Sequence, residues 1–352
     1  MSGDLAIGLP EIVAGAIMMA LTGYALTGGA DYGGGVWDLL ARGPRREQQR
    51  RLIAESIGPI WEANHVWLIV AVVVLFTGFP AAFAALGTVL HVPITILLIG
   101  IVLRGSAFVF RSYGRAEPRI VERWGLVFSI ASVATPLCFG IVIGAVSSGA
   151  VGQAAARAGA AGGGGSFTEV YVEPWLAVYP LVVGFFALAL FALLAAVYLT
   201  LAARDDALRE DFRRRALVAA VVVGVAAGAS LLVSTSSAPR IAQGVAASPW
   251  ALLLHTVTAI AALTAIAALW WRRYRVARVA VGAQVTLILW GWALAQYPFV
   301  IPPALTIRRS AAPDETLELL LVGLAAGALI LIPSLRLLFK TFSPDRAPSA
   351  GG

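Results

Sequence analysis

The chain has 352 residues, of which 59% are hydrophobic and 13% charged, with a formal net charge of +7 and a mean hydropathy of +0.85. Soluble globular domains carry about 25% charged residues, so this composition excludes an ordinary soluble protein and fits a large membrane-embedded bundle. The positive balance does not mark a nucleic-acid binder, because the basic residues sit in short clusters between apolar segments rather than on one stripe or tail.

A helix crossing a hydrocarbon core about 30 Å thick needs about 20 residues at about 1.5 Å each. Apolar runs of that length predict an all-α integral membrane protein, one membrane domain with nine spans: 9–30, 57–77, 86–109, 124–147, 175–202, 216–235, 250–271, 276–297 and 317–339. The first is preceded by Asp4 and by no Lys or Arg, the wrong flank for a cleaved signal peptide. Glu11 lies at its outer edge and Asp31 at its inner end, where Asp31 reads as a channel mouth. The second span carries Glu62 about five residues in, roughly 7 Å below the surface, with His65 three residues on and therefore on the same face. Gly78-Phe79-Pro80 marks the turn to the third span. That span holds His91, Pro93 and, about five residues before its inner end, Arg104. The fourth contains Pro136 and Cys138, and both prolines are expected to kink their helices. Cys138 is the single cysteine, which rules out an intrachain disulfide and a Cys-based metal site. The loop 149–174 is the longest, and its Gly-rich stretch 156–166 reads as flexible. His255 lies in the seventh span. Trp61, Trp67, Trp175, Trp250, Trp270, Trp271 and Tyr297 sit near span ends, as interface anchors do.

Basic residues set the orientation. Five lie in the loop after the first span, four after the third, five after the fifth, four after the seventh and three at the C-terminal end. The opposite side has only Arg157, Arg240, Arg308 and Arg309. The positive-inside rule places the N-terminus outside and the C-terminus in the cytoplasm.

Ionisable groups inside spans are costly and mark function. Glu62 and Arg104 fall at one depth on neighbouring helices and are expected to pair, each making the other tolerable in a low dielectric. Two readings follow: a proton route with Asp31 at the mouth and Glu62 deeper, poised by Arg104, or a structural ion pair that fixes helix register. His91 and His255 are types that ligate haem or metal, but neither sits in a ligand motif, and no metal site is expected.

Four runs go beyond generic membrane character: Thr27 to Gly35 (TGGADYGGG), Ser56 to Ile69 (SIGPIWEANHVWLI), Leu103 to Arg111 (LRGSAFVFR) and Tyr297 to Pro302 (YPFVIP). In this order and spacing they resemble subunit II of the cytochrome bd-type quinol oxidases. The resemblance implies two four-helix bundles plus a peripheral helix, in a heterodimer of the bacterial cytoplasmic membrane. The partner, subunit I, would carry haem b and haem d and oxidise quinol, with oxygen as the other substrate. This chain would bind no haem itself, support assembly and bring cytoplasmic protons inward. The family's motif acids match Asp31 and Glu62 and its arginine matches Arg104. His65 joins the route, and Trp61, Asn64 and Trp67 pack around it. Departures occur at Gly28, where some relatives carry a second acid, at His65, which is often Gln, and at Ile60 and Val109, where polar or acidic residues occur. An ion-coupled transporter is the alternative, but it would show inverted repeats and a midplane site, and no repeat is visible.

Overall fold

The computed structural model describes residues 7–57, 61–113, 118–159 and 164–341, apart from the side chains of 61–63, 112, 113, 118 and 339–341. The described chain is helical almost throughout. Helices α1 (Leu9–Leu39), α2 (Arg46–Ile57), α3 (Trp61–Gly78), α4 (Pro80–Val89), α5 (His91–Tyr113) and α6 (Pro118–Ser148) form the first half. Two short helices, α7 (Ala150–Ala158) and α8 (Phe167–Tyr171), precede α9 (Val178–Ala202) and α10 (Asp206–Ser237). Then come α11 (Pro239–Ala247), α12 (Ala251–Trp270), α13 (Tyr274–Gln296), α14 (Ile307–Ser310) and α15 (Asp314–Thr341). A small antiparallel hairpin, β1 (Phe299–Ile301) and β2 (Leu305–Thr306), separates α13 from α14. Among the described residues eight helices are long and apolar enough to cross a membrane, and the α3–α4 pair, bent by 114°, makes a ninth span if counted as one.

The sheath of exposed Leu, Val, Ile and Phe on α3, α5, α10, α12 and α15 accounts for the composition: these side chains face lipid. Burial concentrates on α9, where every residue from Ala189 to Val197 is inaccessible. A helix apolar on all sides belongs at the centre of a bundle, and α9 is flanked by α1, α6, α10 and α13. α15 is the outlying helix, resting on α3 and α1.

Several boundaries differ from the sequence reading. The first span does not stop at residue 30: the TGGADYGGG run is helical and α1 continues to Leu39. Its glycines stay in the helix because neighbours occupy the space a side chain would need. A Cβ on Gly33 would lie 1.9 Å from the carbonyl oxygen of Phe191, one on Gly29 2.8 Å from the Phe191 ring, and one on Gly35 2.1 Å from Ser132. Helix propensity alone disfavours each glycine by about 1 kcal/mol, so close packing outweighs it. Asp31 is consequently not at a mouth but eight residues, about 12 Å, inside the helix end. The second span begins at Trp61, which puts Glu62 in the first turn of α3, and residue 57 belongs to α2. Residues 86–89 end α4 rather than begin the third span. Pro93 falls in the first turn of α5, where its missing N–H breaks no helical bond, so it starts the helix instead of kinking it. Pro136 lies within α6. The loop expected to be flexible contains α7 and α8, the latter capped by Ser166, whose hydroxyl accepts from the Glu169 N–H while Glu169 accepts from the Ser166 N–H. Residues 160–163 of that loop lie outside the described residues.

The arginine-rich segments gather at one end, tied by Arg111–Asp38, Arg45–Asp211, Arg215–Gln49 and Arg213 to the Leu269 carbonyl. At the other end Arg308 meets Glu11 at 2.7 Å, and the Ala312 N–H donates to Gly78.

Gly33→Ala is expected to force α1 and α9 apart and to lower stability by about 1–3 kcal/mol or more, read as a fall in thermal midpoint in detergent. Gly15→Ala, where no atom lies within 4 Å of the added Cβ, should leave the midpoint unchanged or raise it.

Candidate functional site

Two acid–base pairs stand one above the other inside the bundle. Asp31 and Asp38 are seven residues apart on α1, and Arg104 and Arg111 are seven apart on α5. Two helical turns, about 10 Å, separate the members of each set and keep them on one face. Ser132 and Ser129 supply the matching pair on α6.

In the deeper pair, Arg104 Nη2 donates to Asp31 Oδ1 at 2.5 Å and to the Asp31 carbonyl at 3.2 Å. Its Nε donates to Ser132 Oγ at 3.1 Å. The guanidinium lies over the rings of Tyr32 and Phe128, 4.7 and 5.0 Å from their centroids, so the delocalised cation is also met by ring faces. Arg104 is 1% exposed and Asp31 3%. Among the described residues, the buried Asp31 Oδ2 has no hydrogen-bond partner. Beside this pair Tyr24 donates to the Tyr32 hydroxyl at 3.2 Å, and the His65 ring lies 6.3 Å from Tyr24 and 6.4 Å from Tyr32.

Nearer the arginine-rich end, Arg111 grips Asp38 with two parallel bonds of 3.0 Å. Ser129 donates to Asp38 Oδ2 at 2.9 Å, and Arg50 Nε stands 3.8 Å from Oδ1. Asp38 is fully buried. Both of its oxygens are occupied, whereas Asp31 is held by one only.

Glycines let the arginine arms reach α1 past α6. A Cβ on Gly100, one turn before Arg104, would meet Thr135 Oγ1 at 2.3 Å, and Gly35 abuts Ser132. α5, α6 and α1 thus approach closely enough for one guanidinium to touch serine and aspartate together.

Among the described residues the carboxylate on Arg104 is Asp31, and the expected pairing with Glu62 falls outside them. The side chains of Glu62 and Trp61 lie outside the described residues. Asn64 is buried, and neither polar atom of its amide is hydrogen-bonded to a described residue. Trp67 packs on α1 at Gly23, where a Cβ would come within 2.8 Å of its ring. His65 lines a groove of about 450 Å³ between α3 and α5, with Ser106, Val109 and Phe110. Sequence reasoning missed Asp38, Arg111, Arg50, Ser129 and Ser132. The shared seven-residue spacing of the two aspartates and two arginines was the available signal, hidden because the first and third spans were drawn too short.

The remaining candidates are engaged elsewhere. Glu11 pairs with Arg308 and accepts from the Gly8 N–H. His91 Nδ1 lies 2.9 Å from the Thr88 carbonyl and His255 Nε2 2.8 Å from that of Val245. Among the described residues no three His, Cys, Asp or Glu side chains converge as a metal site would require.

Comparison with known proteins places this geometry. The family "Cytochrome bd terminal oxidase subunit II" matches residues 9–342. The cytochrome bd ubiquinol oxidase subunit 2 of Bacillus subtilis is 29% identical over 127 residues, 36% of each chain. The cytochrome bd-I ubiquinol oxidase subunit 2 of Escherichia coli K12 is 33% identical over 124 residues, 35% of this chain and 32% of that one. These matches span about a third of either relative. A putative cytochrome bd menaquinol oxidase subunit II of Bacillus subtilis aligns over 92% of both chains at 23% identity. In fold, the chain is similar to one in the structure of bd oxidase from Geobacillus thermodenitrificans, with a TM-score of 0.73 and 21% identity over 97% of this chain and 100% of that one. With a family match that runs over nearly its whole length, this multi-pass membrane protein belongs to the cytochrome bd terminal oxidase subunit II family.

Proposed function

We propose that the chain is the haem-free subunit of a bd-type quinol:oxygen oxidoreductase in the respiratory chain of a bacterial cytoplasmic membrane. In this reading it supports assembly of the haem-bearing subunit I and leads cytoplasmic protons inward. Quinol and oxygen are substrates of the complex, and haem b and haem d on the partner supply the electron transfer and oxygen reduction. The observation that carries the proposal is the buried Asp31–Arg104 pair, with one carboxylate oxygen engaged by no described residue.

Burying an ion pair seldom gains stability over well-packed apolar residues, so its retention calls for a reason beyond packing. Asp38 is clamped by Arg111 and Ser129 on both oxygens and serves to fix α5 against α1. Asp31 is held on Oδ1 alone among the described residues, and we assign it to the proton route. Arg104 orients that carboxylate and offsets its charge when ionised. His65 and the Tyr24–Tyr32 hydroxyl pair lie beside it, and Glu62, one turn before His65 on α3, continues the route toward the partner. Trp61, Asn64 and Trp67 shape the start of α3 around it. The transporter alternative has no observation in its favour.

Glu62→Gln keeps shape while removing a titrating group. The expected outcome is an assembled complex with unchanged haem content and oxygen consumption lowered at least about tenfold; normal turnover would remove Glu62 from the route. Arg104→Leu strands a buried carboxylate, with an expected cost of about 3–5 kcal/mol, seen as loss of assembled complex. The double variant Asp31→Leu/Arg104→Leu separates the two roles. Recovery of assembly and haem without recovery of oxygen consumption is expected, and recovery of both would leave the pair a purely structural device.

A further inference from the structure

A second concentration of charge lies at the arginine-rich end, away from the α1–α5 column. A cavity of about 380 Å³ opens between the end of α9 and the α12–α13 turn, and its lining includes Thr200, Tyr274 and four arginines: Arg209, Arg272, Arg273 and Arg275. No carboxylate lines it. Two of the arginines are already engaged. Arg209 bonds Asp206 at 2.5 Å and the Ala203 carbonyl at 2.7 Å. Arg272 reaches Glu210 only at 3.6 Å, and Glu210 is taken more closely by Arg213 at 2.7 Å and Arg214 at 3.2 Å. Arg273 and Arg275 are exposed and make no ion pair or side-chain hydrogen bond among the described residues.

The backbone of the turn adds to the case. The Arg273 N–H bonds the Ala268 carbonyl at 2.7 Å and the Arg272 N–H that of Leu269 at 3.3 Å, the closing pattern of a helix whose C′ residue is usually glycine. Here that residue is Arg272, at φ 59°, the one non-glycine residue with positive φ among those described. A guanidinium is kept where backbone conformation favours glycine. α13 begins at Tyr274, so the N–H groups of its first turn lack intrahelical acceptors at the positive end of the helix dipole, and Tyr274, Arg275 and Val276 of that turn line the same cavity.

Its surroundings distinguish a lipid from a free anion. Trp270 and Trp271 are 69% and 70% exposed beside the cavity, and Val276 and Val279 form an exposed apolar strip leading down α13. Indole rings at a span end mark the headgroup level of a bilayer, and basic pockets between helices at that level suit phospholipid headgroups. We propose that the cavity binds the phosphate of an anionic phospholipid. Arg273 and Arg275 are its principal ligands, Arg272 is aimed by the left-handed turn, and one acyl chain lies along Val276 and Val279.

The test is native mass spectrometry of the purified complex in mild detergent with phosphatidylglycerol and phosphatidylcholine at matched concentrations. At roughly one kcal/mol per basic residue near the surface, phosphatidylglycerol is expected to be retained at least about tenfold better. In Arg273→Gln/Arg275→Gln that preference should fall to about twofold or less. Arg272→Gly should also weaken retention without lowering the thermal midpoint, because glycine suits the turn. Equal retention of the two lipids by the unaltered complex, or an undiminished preference in the double variant, would overturn the proposal. Displacement of the lipid by an equal concentration of inorganic phosphate would also overturn it, by identifying a site for free anions.

Discussion

A charge inside an apolar bundle is tolerated only when a counter-charge and hydrogen bonds meet it, and the contact of α1, α5 and α6 is organised around that demand. Asp31 and Asp38 need cations, and α5 provides them at the same seven-residue interval. For the arginine arms to arrive, the helices must approach closely, hence Gly35 against Ser132 and Gly100 against Thr135. The serines are bonded to their own helix as well, Ser132 to the Phe128 carbonyl and Ser129 to that of Gly125. Backbone, serine, guanidinium and carboxylate therefore form one connected network, which low dielectric strengthens and also makes intolerant of deletion.

The two rungs of this column differ in how their carboxylates are met. Asp38 has both oxygens engaged and sits where Arg50 brings a further positive charge. Asp31 is engaged by described residues on one oxygen and has two tyrosine hydroxyls and an imidazole for neighbours. An identical pair of residue types is thus met by different numbers of donors.

Outside this column the helices are joined chiefly by small residues. Gly29 and Gly33 seat α1 on α9, while Gly140, Gly144 and Gly184 bring α6 and α9 to backbone contact. Between membrane helices there is little hydrophobic gain from association, since lipid is as apolar as leucine, and packing of close backbones takes its place. That explains how a chain with so few polar contacts at its centre, and α9 buried on every side, forms a defined bundle rather than a loose collection of spans.

Length, composition and apolar runs were enough to establish an all-helical multi-pass protein, because each depends on local composition read against the bilayer's thickness. The motifs around Asp31, Glu62 and Arg104 likewise pointed to the family. The extent of α1 was not legible: a run with five glycines in nine residues reads as a break until α9 and α6 are present to fill the space beside it. For the same reason Asp31 was not recognised as a partner of Arg104, since depth estimated from span ends left it at the surface. Arg111, counted as a loop charge, proved to pair with the buried Asp38. Which carboxylate meets which guanidinium depends on how three helices cross, and only the tertiary packing decides that.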